Sequence, residues 1–265
     1  MPAVSTRTFA EHVMITRRNV ILGGPLTISG GWCGVCAAGS VTEPAGCVVA
    51  ADFHDQFFAR TPADRLNSAY FDRILLGSGN KTLDYALAQT LSRITDVFRV
   101  LPGFVFYDDR DRVNSFATPR LRFPGTDGTI LFGTRFLKQL LSGHDNPEVA
   151  LTSICAHEFA HILQFKRGLL SPLIEGQPTI RRCELHADFF SGYFAGVRKK
   201  DKPDYPAAVF VVTLSSLTAD GNYRRNHGTS QERATAIIRG FETSYREQRS
   251  LDDAIDLSMQ YIASV

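Results

Sequence analysis

Apolar residues recur at helical spacing along several stretches of this 265-residue chain. In residues 82–100 they fall three or four positions apart, which predicts an amphipathic helix with Thr82 as its cap. The Pro102-Gly103 pair that follows is typical of a helix end. Short apolar runs bounded by turn residues then predict strands at 104–107 and 129–132.

The second half of the chain is dominated by helical patterns. Helices are predicted at 134–141, from Pro147 to about Gly168, at 180–199, at 229–248 and after Ser250. Asn146 is the expected cap of the helix that begins at Pro147, and Thr229 with Glu232 forms a capping box. Strands and helices in this order predict an α+β domain, with helices packed on one side of a small sheet.

Composition and charge exclude two classes of protein. The chain is 44% hydrophobic and 21% charged, which is typical of a globular protein with an ample core. Its net charge is only +2 and it has no basic stripe, so nothing indicates nucleic-acid binding. It also lacks any purely apolar run of eighteen or more residues, which excludes a transmembrane bundle.

The first fifty residues differ from the rest. The pair Arg17-Arg18 precedes an uncharged, Gly-rich stretch at 20–36, and small residues follow it, a pattern typical of a twin-arginine export signal. We therefore expect a leader at 1–51, a mature domain at 52–265 and a periplasmic or extracellular location. The alternative is a buried Gly-rich hairpin. Lipidation at Cys47 is not favoured, because Pro44 occupies a position that requires an aliphatic residue.

The predicted helix that begins at Pro147 contains the pattern His157-Glu158-x-x-His161. On a helix the two histidines lie about 40° apart on one face, so both imidazoles can bind one Zn²⁺ ion. Glu158 would then lie beside the coordination position that water occupies. The alternative is a buried helix with two structural histidines.

A third ligand is expected in the predicted helix at 180–199, where Glu184 and Asp188 are four residues apart and share a face. One carboxylate can bind zinc while the other hydrogen-bonds a ligand imidazole and fixes its tautomer. A solvated helix face is the alternative. Neighbouring apolar residues such as Leu185 and Phe189 favour burial, and a buried acidic pair needs partners.

Cys155 and Cys183 are the only cysteines beyond the predicted leader, and each lies beside an expected ligand. In an oxidising compartment they could form a disulfide. Two buried free thiols are an equally open alternative, because the sequence does not fix the side-chain directions.

The two motifs together resemble the gluzincin metallopeptidases, and most of all the minigluzincins and related bacterial neutral zinc metallopeptidases. The pattern H-E-x-x-H followed by E-x-x-A-D carries the resemblance. Three further stretches are similar to segments of that family: Asn114-Ser115-Phe116-Ala117, in which Ser115 replaces an alanine, the strand at 127–132, and the stretch from His227 to Arg233. The likeness extends from about residue 83 to residue 241. It implies a zincin-like domain with a small sheet against the H-E-x-x-H helix.

The resemblance implies a role for each matching residue. His157, His161 and Glu184 would bind Zn²⁺, Glu158 would be the general base and Asp188 would orient His157. The likeness to the family's edge strand implies that substrate lies along Thr129, Ile130, Leu131 and Phe132.

The resemblance implies less about the stretch from His227 to Arg233. His227 would steady the oxyanion, and Arg233 would hold His227 or nearby backbone in place. From the residues alone, His227 is a loop residue before a helix and Arg233 a solvated or paired charge. Tyr223 is a second candidate for the oxyanion role.

These expectations predict a zinc-dependent endopeptidase that hydrolyses peptide or protein substrates with an activated water and a glutamate base. The alternative is a catalytically silent zinc-binding domain that presents its cleft to a protein partner. The intact Glu158 favours the enzyme, because a structural zinc site does not require that carboxylate and usually has four protein ligands. A helical domain without metal would require both motifs to be coincidental.

Overall fold

The computed structural model describes residues 74–110, 113–217 and 221–265, and for residues 221–223 it describes the backbone alone. The predicted leader at 1–51 lies outside the described residues, so export stays a prediction. The side chain of Tyr223 lies outside them as well.

The described chain forms a helical layer with one small sheet. The strands are β1 (Ile74–Leu75), β2 (Gly103–Tyr107), β3 (Ser115–Thr118) and β4 (Thr129–Gly133). The helices are α1 (Lys81–Phe98), α2 (Thr134–Gly143), α3 (Pro147–Lys166), α4 (Leu170–Ile174), α5 (Arg181–Asp201), α6 (Ala208–Ser216), α7 (Gly221–His227), α8 (Ser230–Tyr245) and α9 (Leu251–Ala263). The predicted α+β class is confirmed.

The sheet has the strand order β1-β2-β4-β3. β2 and β4 are parallel, whereas β1 and β3 run antiparallel to their neighbours. One face of the sheet contributes Phe104, Phe106 and Phe132 to the main core that it shares with the helices. The other face forms a smaller cluster that includes Val105 and Leu131. This two-sided burial explains why β4 is a continuous apolar run.

The prediction that Thr129, Ile130, Leu131 and Phe132 form a substrate-binding edge strand is wrong. β4 pairs with β2 on one side and with β3 on the other, so neither of its backbone edges can accept a substrate strand. Its side chains are also fully buried. Among the described residues β3 is the outermost strand on that side, and it packs against α3.

Helix α3, which carries H-E-x-x-H, is the centre of the domain. Every residue from Val149 to Gln164 is buried, as expected for a helix that is packed on all sides. Its neighbours include α1, α2, α5, α6, β3 and β4. Asn146 occupies the predicted N-cap position, but its side chain makes no capping hydrogen bond.

Other helix starts follow the sequence signals more closely. The capping box of Thr229 and Glu232 forms at the start of α8, as predicted. α1 is capped by the side chain of Asn80, which accepts hydrogen bonds from two backbone N–H groups, rather than by Thr82. The first turn of α2 is capped from a distance by the buried Asp109, whose carboxylate accepts from the N–H groups of Arg135 and Phe136.

Helices α5 and α8 cross with their backbones in direct contact. A Cβ atom at Gly192 would lie 1.9 Å from the carbonyl oxygen of Ile237, and one at Gly240 would lie 1.7 Å from that of Phe189. Only glycine leaves room for this approach. The crossing brings Asp188 on α5 against Arg233 on α8, beside the H-E-x-x-H helix.

Within the described part of the chain, none of the helices has both the length and the apolar content needed to cross a membrane.

Candidate metal centre

Three buried groups from two helices converge on one point. The Nε2 atoms of His157 and His161 are 3.2 Å apart. Nε2 of His157 lies 3.3 Å from Oε2 of Glu184, and Nε2 of His161 lies 3.7 Å from Oε1 of the same carboxylate. All three side chains are at most 2% exposed. α3 supplies the two imidazoles from successive turns, and the first turn of α5 supplies the carboxylate.

These distances fit a single tetrahedral ion. Zinc binds nitrogen and oxygen at about 2.0–2.1 Å, which places two of its ligands about 3.3–3.4 Å apart. His157, His161 and Glu184 each offer one ligand atom, and all of these atoms lie within 4.8 Å of one another. The three residues therefore form a buried group that can bind a metal ion.

The tautomer of His157 is fixed by a carboxylate. Its Nδ1 lies 2.9 Å from Oδ1 of Asp188, which only accepts hydrogen bonds when it is ionised. Nδ1 therefore carries the proton, and in the neutral ring the lone pair of Nε2 points at the cluster. The predicted role of Asp188 matches this geometry.

The side-chain amide of Gln164 lies beside Nδ1 of His161, as Asp188 lies beside Nδ1 of His157. Oε1 of Gln164 lies 3.0 Å from Nδ1 of His161, and Nε2 of Gln164 donates to the carbonyl of Cys183. The same amide nitrogen lies 3.1 Å from Nδ1 of His186, whose Nε2 lies 3.1 Å from the hydroxyl of Ser258 on α9. Gln164 was not among the predicted site residues, although its spacing of three residues from His161 on a helix is a signal for a side-chain contact.

Electrostatics at the cluster favour a bound cation. Two Nε2 lone pairs and a carboxylate face one another, and all three are acceptors. Burial alone would lower the pKa of His157, but hydrogen bonds to Asp188 and Glu184 raise it to about 9. Burial alone would raise the pKa of Glu184, yet His227 and His161 hold it well below its ordinary value. Without a metal, the cluster therefore takes up a proton instead.

Glu158 lies beside the cluster with one oxygen engaged. The hydroxyl of Ser115 on β3 donates to its Oε1 at 2.6 Å. Oε2 is buried and has no hydrogen-bond partner among the described residues. Burial raises the pKa of Glu158, while the charges of His157 and His161 oppose that rise. This contact was not predicted from the sequence, in which Ser115 stands out only as a difference from the gluzincin segment.

His227 and Arg233, the two candidate residues of the stretch 227–233, are both buried in the structure. His227 is the last residue of α7 and not a loop residue, and its Nε2 lies 3.6 Å from Oε2 of Glu184. Arg233 is a paired charge rather than a solvated one. Its Nε and Nη2 donate to the two oxygens of Asp188 at 2.7 and 2.9 Å, so it anchors the carboxylate that orients His157.

Cys155, Cys183 and His186 are buried near the cluster but are not part of the ligand group. Cys155 and Cys183 are buried free thiols, which decides between the two alternatives left open by the sequence. Burial raises the pKa of both thiols. His186 is outside the ligand group, as expected, and burial lowers its pKa to about 3.

Comparison with protein-family models, with curated proteins and with solved structures finds no match to this chain.

Proposed function

We propose that this protein is a zinc-dependent peptidase of the gluzincin type. One observation carries the proposal: three buried acceptors converge on one point, and beside them Glu158 keeps a buried carboxylate oxygen without a partner among the described residues. A structural metal site needs no such carboxylate. A hydrolytic site needs one, because a base must accept the proton of the attacking water.

Zinc is the metal that the donor set favours. Two histidines and one glutamate are a common ligand set of catalytic zinc and leave one coordination position open. When bound, the ion would lower the pKa of a water molecule and polarise the carbonyl to be attacked. His157, His161 and Glu184 would hold it, with the two histidines kept in the required tautomers by Asp188 and Gln164.

The other residues act on protons and charge. Glu158 would accept a proton from the attacking water and later give it to the leaving amine. His227 lies beside Glu184 and would donate a hydrogen bond to the oxygen on which negative charge develops. Arg233 holds Asp188 and keeps that carboxylate ionised, since it lowers a pKa that burial alone would raise.

The choice of a peptide bond as substrate rests on the resemblance of the paired motifs to gluzincin peptidases. The site itself supports hydrolysis of a carbonyl compound by activated water. β3 contacts the base through Ser115, whereas β4 is paired on both sides and has no free backbone edge for a substrate.

The test is hydrolysis of a mixed peptide library by the zinc-loaded full chain, with and without a chelator. We expect chelator-sensitive cleavage by the wild type. Glu158→Gln should keep its zinc and lose about 10²–10⁴-fold in turnover. Glu148→Gln is a matched control, because Glu148 is an exposed glutamate in the first turn of the same helix.

Two results would contradict the proposal. Full turnover by Glu158→Gln would remove Glu158 as the base. A zinc-loaded wild type that cleaves nothing in the library would favour the alternative, a zinc-binding domain that presents its cleft to a protein partner.

A further inference from the structure

We propose that Ser115 is a positioning residue that holds Glu158 through Oε1 and thereby assigns Oε2 as the oxygen that takes the proton of the attacking water. This inference rests on the proposed function, and it concerns the division of work between the two oxygens of one carboxylate.

The contact between the two residues is short and fully buried. The hydroxyl of Ser115 lies 2.6 Å from Oε1 of Glu158, and the two side chains are 1% and 0% exposed. Water therefore does not compete for this hydrogen bond. A hydroxyl that donates to a carboxylate forms a charge-assisted bond, which is stronger than one between neutral groups.

Ser115 is itself held in place by the sheet. It is the first residue of β3 and is paired with Phe132 of β4. β4 lies in the middle of the sheet and is hydrogen-bonded on both sides. The position of the hydroxyl is thus fixed by a rigid element, whereas the side chain of Glu158 can rotate about its terminal bond unless something holds it.

Oε2 of Glu158 is the oxygen that remains available to accept a proton. Among the described residues, Oε2 of Glu158 has no hydrogen-bond partner although it is buried. A buried carboxylate oxygen without a partner is costly, so a group that donates to it is expected in the working site. The attacking water is such a donor.

The bond to Ser115 is compatible with both states of the base. When the water attacks, its O–H bond breaks and the proton binds Oε2 of Glu158, while its oxygen bonds to the carbonyl carbon and the π pair of the C=O bond moves onto the carbonyl oxygen. That pair then re-forms the C=O bond as the C–N bond breaks, the proton passes from Oε2 to the leaving nitrogen, and the carboxylate is restored. Oε1 accepts from Ser115 throughout, so Glu158 need not rotate between the two transfers.

The test compares Ser115→Ala, which removes the hydroxyl, with Ser115→Thr, which keeps it. Ser244→Ala is a matched control that removes another buried hydroxyl, one that donates to the carbonyl of Tyr193. Each variant is assayed as the full chain for zinc content, thermal stability, kcat and KM. A second readout, the affinity of the zinc-loaded protein for acetohydroxamic acid by calorimetry, does not depend on turnover. That probe can give its hydroxyl proton to the same carboxylate oxygen.

We expect Ser115→Ala to stay folded and to keep its zinc and its KM, with a lower melting temperature because Oε1 of Glu158 loses its buried partner. Its kcat should fall on the order of 10-fold to 100-fold, part of the effect of a general base. Its affinity for acetohydroxamic acid should fall as well. Ser115→Thr should regain most of both quantities, and Ser244→Ala should resemble the wild type in both.

The proposal is overturned if Ser115→Ala keeps the wild-type kcat and hydroxamate affinity. It is also overturned if the losses in this variant follow a loss of zinc or of folded protein, because the hydroxyl would then be structural. A wild type that binds zinc and acetohydroxamic acid but cleaves no peptide would defeat the proposed function. The hydroxamate comparison would still decide the role of Ser115.

Discussion

Arg233 donates two hydrogen bonds to the carboxylate of Asp188, from Nε at 2.7 Å and from Nη2 at 2.9 Å, and both side chains are almost completely buried. The same carboxylate accepts from Nδ1 of His157. A charge on α8 is thus linked through α5 to a histidine on α3. The close crossing of α5 and α8 makes this link possible, because it brings the guanidinium within reach of the carboxylate.

Replacing Arg233 with methionine should damage both the fold and the metal site. It leaves Asp188 as a buried charge without its main partner, which costs about 3–5 kcal/mol in comparable buried pairs. The orientation of His157 should loosen as well, with a loss of about 10–100-fold in zinc affinity. Chemical denaturation and competition with a chromogenic chelator measure the two effects.

The control for this variant is Arg239→Met on the same helix. Arg239 pairs with Glu247, but both side chains are about one-third exposed, and such pairs contribute about 0–1 kcal/mol. If Arg233→Met lowered stability and zinc affinity no more than Arg239→Met does, the buried link to His157 would contribute to neither quantity.

Gln164 allows the role of the second imidazole to be tested by two substitutions with opposite expectations. Gln164→Met removes the acceptor beside Nδ1 of His161 and should lower zinc affinity by about 10–100-fold. Gln164→Glu keeps an acceptor there but cannot donate to the carbonyl of Cys183, so it should lose stability and retain its affinity for zinc. Equal zinc affinities in the two variants would show that the tautomer of His161 does not depend on this residue.

A single methyl group at the helix crossing should be poorly tolerated. In Gly240→Ala the new Cβ atom would lie 1.7 Å from the carbonyl oxygen of Phe189, so α5 and α8 must move apart. Overpacking of this kind costs about 1–3 kcal/mol or more. Gly143→Ala, where nothing lies within 4 Å, is the matched control and should be neutral or slightly stabilising. Equal melting temperatures for the two variants would contradict the close crossing.

The stability of the chelator-treated protein should fall as the pH rises from 6.5 to 9. The pKa of His157 is about 9 in the fold, against an ordinary value of 6.5. Since the folded state binds this proton more tightly, the added stability is complete below 6.5 and is lost as the pH passes 9. The size of the effect is on the order of 3 kcal/mol.

Zinc should remove this dependence, because the ion replaces the proton at the cluster. Urea denaturation at several pH values, with and without zinc, checks both statements. A stability of the chelator-treated protein that rises with pH over this range would be inconsistent with a protonated His157.

Much of the fold was predictable because its signals are local. Helical spacing predicted α1, α2, α3, α5 and α8 to within a few residues, and the capping residues Thr229 and Ser250 located the starts of α8 and α9. The short helix α6 was missed, since its run of apolar and β-branched residues has no helical period. The strand order depends on pairing between distant segments, which is why β4 was mistaken for an edge strand.

The site shows the same division. Spacing of four residues on a helix predicted that His157 pairs with His161 and Glu184 with Asp188, and the cluster contains the three expected ligands. The contacts of Ser115 with Glu158 and of Arg233 with Asp188 join residues 43 and 45 positions apart. No local pattern reports such contacts, so only the folded structure could identify them.

Elemental analysis of the purified full chain decides whether His157, His161 and Glu184 bind one zinc ion. The wild type and Glu158→Gln are each predicted to contain one zinc ion per chain, and Glu184→Ala is predicted to lose tight binding. A wild type that takes up no zinc, or a Glu184→Ala variant that remains fully loaded, would rule out a zinc site formed by these three residues.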